Sequence, residues 1–214
     1  ADLDKIIVGK IEKIEKHPEA DRLYVCQVNI GEKNVQIITS ATNISEGDFV
    51  PVSLEGAHLA NGIDIKVSKM RGVVSEGMFC SGEELGITDN MYEGASVNGI
   101  LIFKDNFAAG TPVAKALMLD DYVLDVAITA NRPDCMSVLG IAREVSAIFA
   151  IPVKKQNLTY TCKNKKVEDF VSVEVKDYEL CPRYIATAVE NIKIEKSPLW
   201  MRARLFAVGI HAIN

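Results

Sequence analysis

The 214-residue sequence lacks the features that mark several protein classes. It contains no run of the roughly 20 apolar residues that crosses a bilayer, which excludes a membrane-spanning protein. Its five cysteines are widely spaced without a CxxC pair, and its three histidines lie far from them. Neither a disulfide framework nor a zinc site is therefore predicted. The charged N-terminus has no apolar signal core, so we expect a cytosolic protein.

A positive net charge is also missing. The chain carries a formal charge of −5, and residues 1–113 alone have 10 basic against 17 acidic side chains. A protein that binds a polyanion by bulk electrostatics is normally basic. Any contact with nucleic acid must therefore come from a local basic patch.

Reaction centres of the common types are absent from the sequence. There is no glycine-rich phosphate loop, no GxSxG elbow and no HExxH pair. Three nearby acids, Asp120, Asp121 and Asp125, could hold a hard metal, but a solvated acidic loop is the favoured interpretation. We predict no catalytic residue and no metal site.

The first half of the chain reads as short strands separated by turns rich in glycine, proline and asparagine. A short helix, Val113–Met118, is predicted after Thr111 and Pro112. Five strands favour an OB-type barrel, whose outer face commonly binds nucleic acid. The predicted strands, the first of them bulged, are Ile6–Ile14, Leu23–Ile30, Val35–Thr39, Phe49–Leu54 and Ile100–Phe103.

The stretch Lys66–Ser81 is the candidate RNA-facing edge of this barrel. It places Lys66, Lys69 and Arg71 just before a turn at Gly72. Lysine and arginine neutralise phosphates, and a guanidinium also stacks on unpaired bases. Hydroxyl groups can bond phosphate or ribose, and an asparagine can read a base edge. The predicted RNA-binding residues are Asn43, Lys66, Lys69, Arg71, Ser75 and Ser81.

The alternative interpretation of the same stretch is a solvated basic strand edge beside a tight turn. Its apolar residues Met70, Met78 and Phe79 are predicted to be core. His17 and His58 are predicted to be turn residues with satisfied side chains rather than ligands or catalysts.

The second half has a different organisation. An amphipathic helix is predicted from Ser137 to Pro152, and a lysine-rich linker at Val153–Val167. A last helix follows Ser197–Pro198 and stops at Gly209. Further predicted strands are Tyr122–Ile128, Val171–Val175 and Arg183–Val189.

Several motifs together resemble one family. The HPEADRL turn, the ATNI loop and the KMRGVVSEGM stretch resemble the tRNA-binding OB domains of aminoacyl-tRNA synthetases and of stand-alone tRNA-binding proteins. The later segments, NRPDC with its helix and CPRY through GIHAIN, resemble the β-subunit family of bacterial phenylalanyl-tRNA synthetases. The order of these motifs separates the chain from methionyl-tRNA synthetase.

The resemblance implies an α+β, multidomain architecture. Residues 1–113 would form the OB barrel, 114–155 part of a small helical domain, and 156–214 the start of an α+β editing domain. Because the family continues well past the matching region, we expect a fragment whose last helix exposes Leu199, Trp200 and Phe206. In the NRPDC motif, Arg132 and Asp134 either fix the turn or contact a partner subunit or RNA.

The resemblance also implies a function. The family forms an α2β2 class II enzyme that ligates phenylalanine to tRNA(Phe) using ATP and Mg²⁺, with that active site on the α subunit. We therefore expect auxiliary tRNA binding from this chain, with no catalysis and no cofactor of its own. One rival hypothesis is a self-standing tRNA-binding or chaperone protein. The other is a structural or protein-interaction barrel in which the basic edge does not contact RNA.

Overall fold

The computed structural model describes residues 3–161 and 165–214. Cys162, Lys163 and Asn164, which belong to the predicted linker, lie outside the described residues. The chain divides into two compact units, one of Ala1–Val123 with Glu195–Asn214 and one of Leu124–Ile194. In the described ranges, no helix is both long and apolar enough to cross a bilayer.

The first unit is built on antiparallel strands. Five form one sheet in the spatial order β3-β2-β1-β4-β7, and β5 and β6 form a separate hairpin. The first four confirm predicted strands, and a register shift between Ile11 and Lys13 confirms the bulge. The strands are β1 Ile6–His17, β2 Ala20–Asn29, β3 Asn34–Thr39, β4 Phe49–Leu54, β5 Ser68–Met70, β6 Val73–Ser75 and β7 Gly77–Phe79. This mostly sheet fold with few helices is consistent with the predicted OB-type barrel.

The fifth predicted strand, Ile100–Phe103, is not a regular strand. Its backbone takes partners from two places, since the Leu101 N–H donates to the Cys80 carbonyl (3.1 Å) and the Phe103 N–H to the Phe49 carbonyl (2.8 Å). A segment that changes partner after two residues cannot extend a ladder. It instead lies beside the ends of β4 and β7.

Residues 75–77 close the sheet into a barrel. The outer strands of the sheet are β3 and β7, and the Glu76 N–H donates to the Gln36 carbonyl (2.9 Å) to join them. The Ile38 N–H donates to the Ser75 hydroxyl (3.0 Å), which in turn donates to the Gly77 carbonyl (2.9 Å). A side chain on Gly77 would come within 2.4 Å of the Ser53 carbonyl oxygen, so only glycine fits here. These contacts leave the barrel without an open edge at this point.

Two apolar clusters stabilise the first unit. The cluster inside the barrel includes Ile11, Cys26, Ile37, Val52 and Phe79. Burial of the Cys26 side chain raises the pKa of its thiol to about 11, which keeps it protonated at neutral pH.

The second cluster lies at the end of the barrel. It joins β1 to the loops after β4 and β7 and to the short helix α1, Val113–Ala116. The helix confirms the predicted one, although Pro112 rather than Thr111 stands at its cap position.

Not all of the predicted core residues are buried. Phe79 is buried and Met78 is partly buried, as predicted. Met70 is 41% exposed because it lies on the β5–β6 hairpin rather than in the main sheet. The prediction of Met70 as a core residue was therefore wrong.

The second unit contains helix α2, Val138–Phe149, preceded by a 3₁₀ turn at Pro133–Cys135. The Ser137 hydroxyl caps α2 by accepting the Gly140 N–H (3.0 Å), as its position predicted. The strands predicted at Val171–Val175 and Arg183–Val189 are not formed in the described part of this unit, nor is Tyr122–Ile128 at its start. Their apolar side chains are mostly exposed, so no packed face fixes them in a ladder.

The C-terminal helix α3, Leu199–Ala207, belongs to the first unit. Leu199 and Phe206 pack against the second apolar cluster, which corrects the prediction that they are exposed. Trp200 is 48% exposed, with the Arg204 guanidinium 5.5 Å from its ring centre. Residues 156–214 were predicted to belong to one domain, whereas Glu195–Asn214 lie in the first unit. The division of the chain into three domains stays a prediction.

Ion pairs hold the start of this C-terminal segment. Glu93 pairs with Lys104 (2.8 Å) and with Lys196. The Arg202 guanidinium donates to the carbonyls of Asp89 and Asn90. Hydrogen bonds from Lys104 and then Lys196 lower the pKa of Glu93 to about 2.

We predict that Ser75→Ala destabilises the barrel. The substitution removes the acceptor of the buried Ile38 N–H, and an unsatisfied buried donor costs about 1–3 kcal/mol. Urea unfolding would measure this loss. Ser68→Ala, at the exposed paired position in β5, is the control and should change the unfolding free energy by less than about 0.5 kcal/mol. Equal effects of the two substitutions would contradict the closing role of Ser75.

We predict that acid loosens α3 through Glu93. Its folded pKa of about 2 lies below the ordinary 4.5, so its stabilisation is present above pH 4.5 and is lost as pH falls toward 2. Trp200 is the single tryptophan, so its fluorescence reports on the helix. We expect the wild-type signal to change across this window and Glu93→Gln to show a smaller change. Identical pH profiles would contradict the role of Glu93.

Candidate nucleic-acid interface

The β5–β6 hairpin carries the basic residues predicted to face RNA. Lys69 pairs with Val74 across it, and a two-residue turn of Arg71 and Gly72 joins the strands. Both turn residues have positive φ, 42° and 87°, as the type I′ hairpin turn requires. An arginine at such a position is uncommon, which indicates that contacts outside the turn hold it.

Those contacts come from the turn between β1 and β2. The buried His17 ring bonds the Met70 carbonyl through Nε2 (3.1 Å) and accepts the Glu19 N–H at Nδ1 (3.1 Å). The Arg71 guanidinium donates through Nη1 to the Glu19 carbonyl (3.1 Å). The HPEAD and KMRG motifs, which begin 52 residues apart in the chain, therefore meet at the hairpin turn. His17 is a satisfied turn residue, as predicted.

The structure brings three cations to this edge of the barrel. Lys66, Lys69 and Arg71 are all exposed. Within residues 3–161 and 165–214, no carboxylate forms an ion pair with Lys69 or Arg71. The bond to Glu19 uses one of the five N–H donors of Arg71, so the others remain available for a phosphate.

Ser75 does not belong to this surface. It is 1% exposed, and its hydroxyl already accepts from Ile38 and donates to Gly77. A group that is buried and fully bonded cannot reach phosphate or ribose. The predicted RNA contact of Ser75 conflicts with this placement, and we assign the residue to barrel closure.

Ser81 and Asn43 are also occupied by contacts within the chain. The Ser81 hydroxyl donates to the Glu84 carboxylate (2.9 Å), and the Ser81 N–H donates to the same group (2.6 Å), in the manner of a capping box. This arrangement begins the turn at residues 82–86. The Asn43 amide donates to the Ile100 carbonyl (2.8 Å) and accepts the Ile100 N–H (3.2 Å). An RNA contact by either side chain would have to compete with these bonds.

The sequence model described as "Putative tRNA binding domain" matches residues 6–112, half of the chain, including both the hairpin and the turn that supports it. The chain belongs to this tRNA-binding domain family.

Curated relatives match over the full length of the chain. Phenylalanine–tRNA ligase β subunits from Clostridium tetani, Clostridium acetobutylicum and Staphylococcus aureus are 46%, 43% and 41% identical to it over 100% of its length. The chain spans about a quarter of each relative, 26–27%. A solved structure, the C-terminal domain of Plasmodium vivax p43, is 31% identical over 36% of this chain and 47% of its own, with a TM-score of 0.30.

Outside the tRNA-binding barrel, one cluster resembles a metal site. Asp134, Cys135 and Glu144 are the one group of at least three potential ligands in the described residues. Arg132 already bonds Asp134 (2.8 Å) and Glu144 (2.7 Å), so both carboxylates have a cationic partner within the chain. The Arg132 bond lowers the pKa of Asp134 to about 2, and these partners raise the pKa of Arg132. The Arg132–Glu144 ion pair joins the NRPDC turn to α2. The contact of Arg132 and Asp134 with a partner subunit or RNA stays a prediction.

The other predicted turn histidine lies on the barrel surface. His58 Nδ1 contacts the Asp64 carboxylate at 2.7 Å, and both side chains are exposed. The hydrogen bond to His58 lowers the pKa of Asp64. His58 thus has a partner, as predicted of a satisfied turn residue.

Sequence reasoning missed two contributors to the interface, His17 and the Glu19 carbonyl. His17 was treated as part of an isolated turn because nothing local connects it with residue 70. The available signal was that HPEADRL and KMRG belong to the same family pattern, and such motifs often meet in the fold.

Proposed function

We propose that the chain is part of the β subunit of a phenylalanine–tRNA ligase, in which its barrel makes an auxiliary contact with tRNA. The observation that carries the proposal is the 38–46% identity to such subunits over 98–100% of this chain, which includes the second unit as well as the barrel. A self-standing tRNA-binding protein would need to resemble these subunits only in the barrel, so we do not favour it.

The tRNA contact is assigned to the exposed face of the β5–β6 hairpin. Lys69 and Arg71 supply charge for phosphates, Lys66 lies just before the hairpin, and Gly72 permits close backbone approach. The chain has a net charge of −5, so these few cations act locally and without support from the barrel as a whole. We therefore infer modest affinity with a strong dependence on salt.

The remaining parts of the proposal concern the whole enzyme. It would be an α2β2 assembly in the cytoplasm that uses ATP and Mg²⁺ to ligate phenylalanine to tRNA(Phe), with that reaction on the α subunit. The barrel would be followed by part of a helical domain at 114–155 and by the start of an editing domain at 156–214. We assign no residue to Mg²⁺ in the described part of the chain, since Arg132 already pairs with two of the residues of the one candidate metal cluster found there.

We predict that the double substitution Lys69→Ala/Arg71→Ala weakens tRNA binding about tenfold, because each residue contributes a phosphate contact. The slope of log affinity against log salt should become shallower by about 1–2. Fluorescence anisotropy with labelled tRNA at several salt concentrations would measure both quantities.

The matched control is Lys33→Ala/Lys115→Ala. It removes the same charge from two exposed sites, the turn after β2 and helix α1. The control should bind tRNA as the wild type does. If both double variants bind tRNA equally well, the hairpin is not the contact surface.

A further inference from the structure

We propose that His17 is a positioning residue for tRNA binding, which holds the β5–β6 hairpin in its binding geometry without touching the RNA. This inference rests on the proposed function of the hairpin. It gives the HPEAD turn a role in tRNA binding that the charge of this segment alone would not predict.

The bonds of the His17 ring fix its tautomer. The Glu19 N–H donates to Nδ1, so Nδ1 carries no proton. In a neutral imidazole the other nitrogen then carries it, and Nε2 donates to the Met70 carbonyl. The ring is 5% exposed, which makes this bond a buried connection between the β1–β2 turn and the end of β5.

The turn that follows Met70 contains a residue in a strained backbone conformation. Arg71 adopts a φ of 42°, a conformation that is uncommon for residues with side chains. Its guanidinium reaches back to the Glu19 carbonyl, two residues beyond His17. The same three-residue turn therefore holds both the residue before the strained position, Met70, and the strained residue itself.

The two strands of the hairpin are held to the rest of the first unit by different contacts. Strand β6 is anchored to the barrel wall, since the Gln36 amide donates to the Val74 carbonyl (2.7 Å) and Ser75 bonds β3. Strand β5, which carries Lys69, is joined to the β1–β2 turn by the His17 bond. Loss of that bond should leave β5 and the turn held only by the pairing with β6 and by the Arg71–Glu19 bond, so both cations would shift more easily while β6 stays in place.

Two substitutions of His17 separate the bond to the hairpin from the bond within the turn. Glutamine places an amide nitrogen near the position of Nε2 and can still donate to Met70. Asparagine places an oxygen near the position of Nδ1 and can still accept from Glu19, but it cannot reach Met70. We expect His17→Asn to weaken tRNA binding about three- to tenfold, the loss of one hydrogen bond, and His17→Gln to stay within about twofold of wild type.

The salt dependence provides a readout that a general loss of stability would not change. His17→Asn should make the salt slope shallower by about 1, because a displaced cation no longer meets its phosphate. His58→Asn, at the exposed histidine of another loop, is the control and should match wild type in affinity and slope. Urea unfolding of each variant confirms that it is folded under the binding conditions.

The outcomes separate this inference from the proposed function. If Lys69→Ala/Arg71→Ala binds tRNA as wild type does, the hairpin contact itself is wrong. If the tRNA affinity of that double variant falls but His17→Asn binds tRNA as wild type does, the positioning role is wrong. Equal losses of tRNA affinity in His17→Asn and His17→Gln would also overturn the positioning role. If neither His17 variant folds, ¹⁵N NMR of the wild-type imidazole decides: the Nε2–H tautomer is expected, and an Nδ1–H tautomer, which cannot donate from Nε2 to the Met70 carbonyl, would overturn the proposal.

Discussion

The bond from the Ile38 N–H to the buried Ser75 hydroxyl is the constraint on which the first unit depends. Together with the backbone bond from Glu76 to Gln36, it joins the two outer strands of the sheet and turns an open sheet into a barrel. It also fixes the end of the β5–β6 hairpin that adjoins the barrel, because β6 ends at Ser75. The closure that stabilises the core therefore decides where the basic edge is presented.

The charges of the chain are divided in a way that suits a local contact. The barrel is acidic, and part of that charge is used internally, since Glu93 pairs with Lys104 and with Lys196 of the C-terminal segment. Lys69 and Arg71 instead face solvent on the hairpin. An acidic body discourages RNA elsewhere on the surface, so few cations can define one site.

Much of the barrel follows from sequence pattern because alternating strands and glycine turns are local signals. β1 to β4, the short helix after Pro112 and the capped helix α2 were all predicted in this way. The strands predicted in the second unit were wrong, because β-propensity does not form a ladder without a packed partner.

The site was predicted less completely than the fold. The chemistry of Lys69 and Arg71 predicts an RNA contact, whereas hydroxyl and amide groups near them suit structure as well as binding. Ser75 closes the barrel and Asn43 bonds Ile100, and only the tertiary fold reveals these long-range partners. The central claim, that the hairpin is the tRNA contact, is tested most directly by amide NMR shifts of the ¹⁵N-labelled chain during tRNA titration. The account predicts the largest shifts at residues 66–75, with smaller ones at 17–20, whereas the largest shifts at 89–105 or in α3, with an unmoved hairpin, would contradict it.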